Sequence, residues 1–175
     1  MSLNIYHALI DQICAKSNIP DPASMYSVAD IQVQGVNFTM FYGGSIAPDS
    51  ALLYCDFGEL PTQAREAVLL RLLETNMYLF GVNSPTFTYN AENMHIVLAN
   101  RVPLARVTAD TVLALLSHYA GLAKEWRNDH FLLEKEQQTG ALANSSGRVP
   151  NNALRRFSAQ LTRTVAPAAN RNNNE

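Results

Sequence analysis

The sequence is poor in charge, in cysteine and in any arrangement that could hold a metal. Charged residues make up 16% of its 175 positions, against about 25% for an ordinary soluble domain. From Asn18 to Ala64 there is no lysine or arginine at all. That gap argues against a phosphate-binding surface on the hairpin Gln32–Tyr42, because such surfaces are built from cations. Two cysteines, Cys14 and Cys55, stand far apart without a CxxC pair. They read as buried free thiols rather than a redox or zinc site. No apolar run approaches the roughly 18 residues of a membrane-crossing helix. The N-terminus has neither a basic stretch nor an apolar core of the secretory type. A protein that stays in the cytoplasm is the expectation.

Catalytic patterns are missing too. His7, His95, His118 and His130 form no HxH or HExxH spacing. His130 and Glu134 read as a solvated helical pair, with no third ligand for a metal. Ser45, Ser50 and Ser84 are not set in GxSxG. Gly43-Gly44 lacks the spacing of a phosphate-cradling loop. Asp56 and Glu59 read as surface carboxylates, since a catalytic pair needs one pKa raised by burial or by its neighbour. No enzyme, cofactor or metal site is expected.

What the chain does have is apolar surface with a clear periodicity. Leu3, Tyr6, Leu9, Ile10, Ile13 and Cys14 recur at helical spacing, predicting a helix over residues 3–17 that Asn18 and Pro20-Asp21-Pro22 end. Ile31 and Val33, then Val36, Phe38, Met40 and Tyr42, alternate with polar residues as a hairpin turned near Gln34-Gly35. Ala51 to Phe57 reads as a third strand, broken at Gly58. Pro61 to Phe80 predicts a central helix whose apolar arc covers about 200°, where packing on one sheet needs about 100°. Leu69, Leu70, Leu73, Met77 and Phe80 fill one side, Val68, Leu72 and Leu79 extend it, and Arg71, Glu74, Thr75 and Tyr78 form a narrow polar strip. The surplus needs a second cover, and another copy of the chain is the simplest one. Two short strands follow, Thr86 to Tyr89 and Met94 to Asn100, turned at Asn90–Asn93. Thr108 caps a last helix carrying Val112, Leu115, Leu116, Tyr119, Leu122, Ala123 and Trp126 and running to Gln138.

The order is α-β-β-β-α-β-β-α, an α+β fold with an antiparallel sheet flanked by helices. Residues 1–138 hold eight Lys/Arg against fourteen Asp/Glu, a net of −6; residues 139–175 hold five Arg against one Glu, a net of +4. The acidic part reads as one folded domain. The basic part, 139–175, reads as a disordered tail, with a weak helix possible where Leu154, Phe157 and Leu161 share a face. The aromatic hairpin face (Phe38, Phe41, Tyr42) lacks interleaved cations, so it reads as core or as a peptide site, not a nucleic-acid platform. An extended peptide can add to the edge of such a sheet as a further strand.

One family is similar along most of this order. Cys55-Asp56-Phe57-Gly58-Glu59-Leu60-Pro61, continuing to Leu72-Leu73-Glu74-Thr75-Asn76, resembles the G-x-L-P turn and L-L-E-x-N helix of the class I type III secretion chaperones of the CesT/Tir-chaperone family. Pro85-Thr86-Phe87, the turn Asn90–Asn93 and Leu98-Ala99-Asn100-Arg101-Val102-Pro103-Leu104 look like the family's next hairpin and its exit, and Trp126 sits where its last helix often carries tryptophan. The resemblance implies a homodimeric bacterial cytoplasmic chaperone without enzymatic activity or ATP use. Such a protein holds the N-terminal segment of a secreted effector export-competent, with export-apparatus components as further partners. It implies Leu69, Leu72, Leu73, Asn76 and Phe80 at the dimer interface. It also implies Leu3, Tyr6, Ile10, Ile13, Ile31, Val33, Phe38 and Met40 on the effector surface. The alternative is a regulatory or structural adaptor on the same fold, working through its sheet or basic tail, which the compact family members lack.

Overall fold

The computed structural model describes residues 2–81 and 84–132. Helix α1 (Ser2–Ser17) is followed by a short 3-10 turn at Pro22–Met25. Strands β1 (Ala29–Val33), β2 (Val36–Tyr42) and β3 (Ser50–Glu59) come next, then helix α2 (Arg65–Leu79). Strands β4 (Thr86–Asn90) and β5 (His95–Pro103) and helix α3 (Ala109–Asp129) complete the order. The five strands form one antiparallel sheet in the order β1-β2-β3-β5-β4. The α+β class and the element order expected from the sequence are those observed.

Local chemistry sets the ends of these elements. Gln34 and Gly35 both have positive φ, 52° and 80°, the mirror-image turn whose twist matches a two-residue hairpin. Asn18 takes the left-handed conformation just past α1, where asparagine is tolerated. The Thr108 hydroxyl accepts from the Thr111 N–H at 3.2 Å and caps α3.

Three boundaries differ from expectation. Gly58 does not break β3; the strand runs on to Glu59 through a bulge between Asp56 and Gly58, where Gly58 takes φ +113°. Helix α2 starts at Arg65 rather than Pro61, because Leu60 still pairs with Met94 and Ala64 must turn left-handed before the helix begins. Helix α3 ends at Asp129 rather than Gln138. His130 and Phe131 both take positive φ, Asp129 Oδ1 accepts from the Phe131 N–H at 2.8 Å, and the chain folds back so that Phe131 faces Phe87. His130 is thus the helix cap. The expected tail at 139–175 and Glu134 lie outside the described residues.

The core lies between one face of the sheet and the helices. Its central row crosses all five strands in register: Ile31, Phe38, Cys55, Leu98 and Phe87. Against that face α1 contributes Tyr6, Leu9, Ile10, Ile13 and Cys14, and α3 contributes Leu116, Tyr119, Ala123 and Trp126. Cys14 and Cys55 are free and buried, as expected. Arg127 ties α3 to the β3 bulge. Its Nε donates to Phe57 O at 2.7 Å and its Nη2 to Asp56 O at 2.9 Å.

Candidate interaction surfaces

Helix α2 carries two opposed seams. Val68, Leu72, Thr75 and Leu79, spaced four, three and four apart, face inward together with Arg71. Leu70, Leu73, Met77 and Phe80, spaced three, four and three apart, face outward and are 55%, 65%, 64% and 94% exposed. Half of the expected polar strip is therefore on the wrong side. Arg71 and Thr75 are buried, while the exposed seam is apolar. The polar pair is made tolerable by its bonds: Arg71 Nε donates to Phe131 O at 3.1 Å, and Thr75 Oγ1 donates to Arg71 O at 2.8 Å. Burying polar groups and exposing apolar ones is a costly arrangement for an isolated protomer, and such a stripe marks a contact surface.

The two edges of the sheet are finished differently. At β4 the edge is plugged by α2: Asn76 Oδ1 accepts from the Phe87 N–H at 2.7 Å, and its Nδ2 donates to Phe87 O at 3.0 Å. Beside this plug, the Arg65 guanidinium lies 5.7 Å from the Tyr89 ring centre. At β1 no strand lies alongside among the described residues. The two-residue turn makes Val33–Val36 a hydrogen-bonded pair, so the N–H and C=O groups of Asp30 and Gln32 point outward from that edge. It is the edge open to strand addition.

The residues expected at interfaces are distributed unevenly. Of the dimer set, Leu73 and Phe80 lie on the exposed stripe and Leu69 beside it, half-buried; Leu72 is core and Asn76 is committed to β4. Of the effector set, Tyr6, Ile10, Ile13, Phe38 and Met40 are fully buried between α1, the sheet and α3. They hold the fold of the protomer. The resemblance that named them gives the element and not the face, and an apolar pattern alone cannot separate a core from an interface. Leu3 is exposed, and Ile31 and Val33 are half-exposed beside the open edge.

The opposite face of the sheet is uncovered by any described helix. It holds an open groove of about 760 Å³, whose walls include Thr39, Phe41, Tyr54, Asp56, Thr88 and Val97. Phe41 and Tyr54 meet with ring centres 5.5 Å apart. Asp56, expected as a surface carboxylate, is half-buried and bonded: its Oδ1 lies 2.8 Å from His95 Nδ1 and accepts from the Gly58 N–H at 2.9 Å. The bulge brings these groups together, and no sequence spacing signals it.

Buried hydroxyl and thiol groups are held in their neutral forms. Burial pushes the Tyr6 hydroxyl up to about 12 and raises Tyr119 and the Cys55 thiol further. Burial lowers His118. Among the described residues, no three of His, Cys, Asp and Glu come together as metal ligands, and no helix is long and apolar enough to cross a membrane.

Comparison with known proteins agrees with the architecture. One chain of the ExoT–SpcS complex from Pseudomonas aeruginosa is 18% identical, with a TM-score of 0.50 over 69% of this chain and 96% of that one. One chain of the ExsC–ExsE complex is 13% identical, with a TM-score of 0.53 over 73% of this chain and 94% of that one. No curated protein matches the sequence. The model of the Tir chaperone protein (CesT) family matches residues 10–127, from the middle of α1 to the clamp residue Arg127, and the chain accordingly belongs to that family.

Proposed function

We propose that this protein is a dimeric cytoplasmic chaperone of type III secretion, which binds the N-terminal segment of an effector and keeps it export-competent without ATP or any catalytic step. The observation that carries this reading is the exposed seam Leu70, Leu73, Met77 and Phe80 in a chain of the Tir chaperone family. Two copies of the seam, brought together about a two-fold axis, remove it from water. Leu69, Leu73 and Phe80 are the interface members of the expected set, and Leu70 and Met77 join them.

The effector segment binds at the open β1 edge. Main-chain bonds to Asp30 and Gln32 supply affinity, and Ile31, Val33 and Leu3 supply apolar contact. Residues 1–138 form the chaperone domain and 139–175 an appended tail. The two structures cited above are each a complex of two named proteins, which is the kind of assembly these surfaces suit.

Co-expression with a candidate effector tests the reading. A soluble 2:1 complex that shields an effector N-terminal segment of roughly 50 residues from protease supports it, a length suited to an extended chain wrapping such surfaces. A monomeric chain, or an effector segment left fully cleavable, overturns it and leaves the adaptor role.

A further inference from the structure

The edge of β1 carries opposite charges at its two ends. At its start Asp30 is exposed and accepts from the Thr39 hydroxyl at 2.8 Å, and among the described residues no cation pairs with it. The chain leading into it adds Asp21 and, bonded to Tyr26, Asp11. At the far end, beside the hairpin turn, two cations of α3 hold neutral oxygens. Lys124 Nζ donates to Gln34 Oε1 at 3.1 Å, and Arg127 donates to the carbonyls of Gly35, Asp56 and Phe57. Lys124 is exposed and has donors to spare.

The neighbouring charges leave this axis intact. Lys16 is paired with Asp110, and Asp56, two strands from β1, is bonded to His95. Arg101 on β5 and Arg65 at Tyr89 on β4 stand three and four strands away, about 14 and 19 Å, beyond the screening length of about 8 Å. Glu125 follows Lys124 directly, and successive helical residues do not share a face. Strand parity supplies the apolar positions. A strand added antiparallel, as every pair in this sheet is, sets alternate residues opposite Val33 and Ile31, which are half-exposed on the helix-covered face and pack on the core. The residue opposite Asp30 falls on the other face, beside its carboxylate.

We propose that the β1 edge selects an extended segment that reads, from its N-terminus, acidic, apolar, polar, apolar, cationic. It runs antiparallel from Lys124 toward Asp30, with its apolar residues opposite Val33 and Ile31. This rests on the reading of that edge as the effector site. Exposed ion pairs add little affinity. Their work is to penalise the reverse charge order, which sets like charges together at both ends, so charge fixes direction and register while main-chain bonds hold the strand.

The test titrates two synthetic peptides of identical composition into the full chain and follows its amide signals. One is centred on Glu-Val-Thr-Val-Lys and the other on Lys-Val-Thr-Val-Glu, each between Gly-Ser arms. Both are expected to shift Asp30 and Gln32, the first binding about threefold more tightly. A nitroxide on the N-terminus of the first is expected to broaden Gly35 and Val36 rather than Val28 and Ala29. D30N/K124Q, which keeps hydrogen-bonding groups at both places, should abolish the preference, and D30K/K124E should invert it. Equal affinity of the two orders, broadening at Val28, or a preference that survives D30K/K124E overturns this inference alone. The absence of any shift at Asp30 and Gln32 with either peptide overturns it together with the β1 effector site.

Discussion

Asn76 spends both ends of its side-chain amide on a single residue, accepting from the N–H of Phe87 and donating to its C=O, 2.7 and 3.0 Å away. In this way a helix side chain stands in for a sixth strand. An unpaired edge invites other chains. Asn76 closes one edge of this sheet, while among the described residues no further strand pairs with β1.

Asn76→Ala is expected to cost about 1–3 kcal/mol, because it orphans two main-chain groups of the edge strand. Hydrogen exchange should show lost protection at the Phe87 amide. Unchanged protection there would mean that α2 does not hold the edge.

Leu73→Asp separates packing from association. The side chain is largely exposed in the protomer, so the fold should survive with a stability change of about 0.5 kcal/mol or less. On the proposed dimer interface, however, the charge would be buried without a partner. Sedimentation is expected to show a folded monomer. A folded dimer would place the interface elsewhere.

Arg127→Ala should destabilise by about 1.5–3 kcal/mol, since hydrogen bonds from a charged donor to Phe57 O and Asp56 O are lost together. Gly58→Ala strains the same place from the other side: the bulge needs φ +113°, and a Cβ there would meet Arg127 Nε at 3.4 Å. Urea midpoints of the two variants and their double mutant measure the coupling. Simple additivity would show that the clamp and the bulge are independent.

Alkaline stability depends on the buried hydroxyls. Tyr6 titrates at about 12 in the folded protein against 10.0 unfolded. Between those values the unfolded chain has lost a proton that the folded one keeps, so stability is fully present below pH 10 and falls as pH rises toward 12. Tyr6→Phe should flatten that fall. It also removes the 3.1 Å bond to Met40 O, at about 1 kcal/mol near neutral pH. An unaltered alkaline limb in thermal melts would assign it to Tyr119 and Cys55 instead.

Removing residues 139–175 should leave the cooperative unfolding of the domain unchanged, because the described core cluster, with Phe131 and Leu132 packed on it, is built from residues before that cut. A large fall in melting temperature would show that the tail is part of the fold.

The amino-acid sequence alone determined the element order, the hairpin turn at Gln34-Gly35, the Thr108 cap and the free cysteines, because each follows from local periodicity, turn chemistry or spacing. It also carried the excess of apolar surface on α2. Tertiary structure decided which way that helix turns. A helical repeat defines faces but not which one meets the sheet, so Arg71 and Thr75 went inward and Leu70, Leu73, Met77 and Phe80 outward. The same ambiguity put Tyr6, Ile10, Ile13, Phe38 and Met40 in the core rather than on a surface, since burial by one's own chain and burial by a partner leave the same pattern in a sequence. The Asp56–His95 contact and the Asn76 plug lie 39 and 11 residues apart in the chain. They exist only because a one-residue bulge and an edge strand bring distant backbone into register, which no local rule encodes.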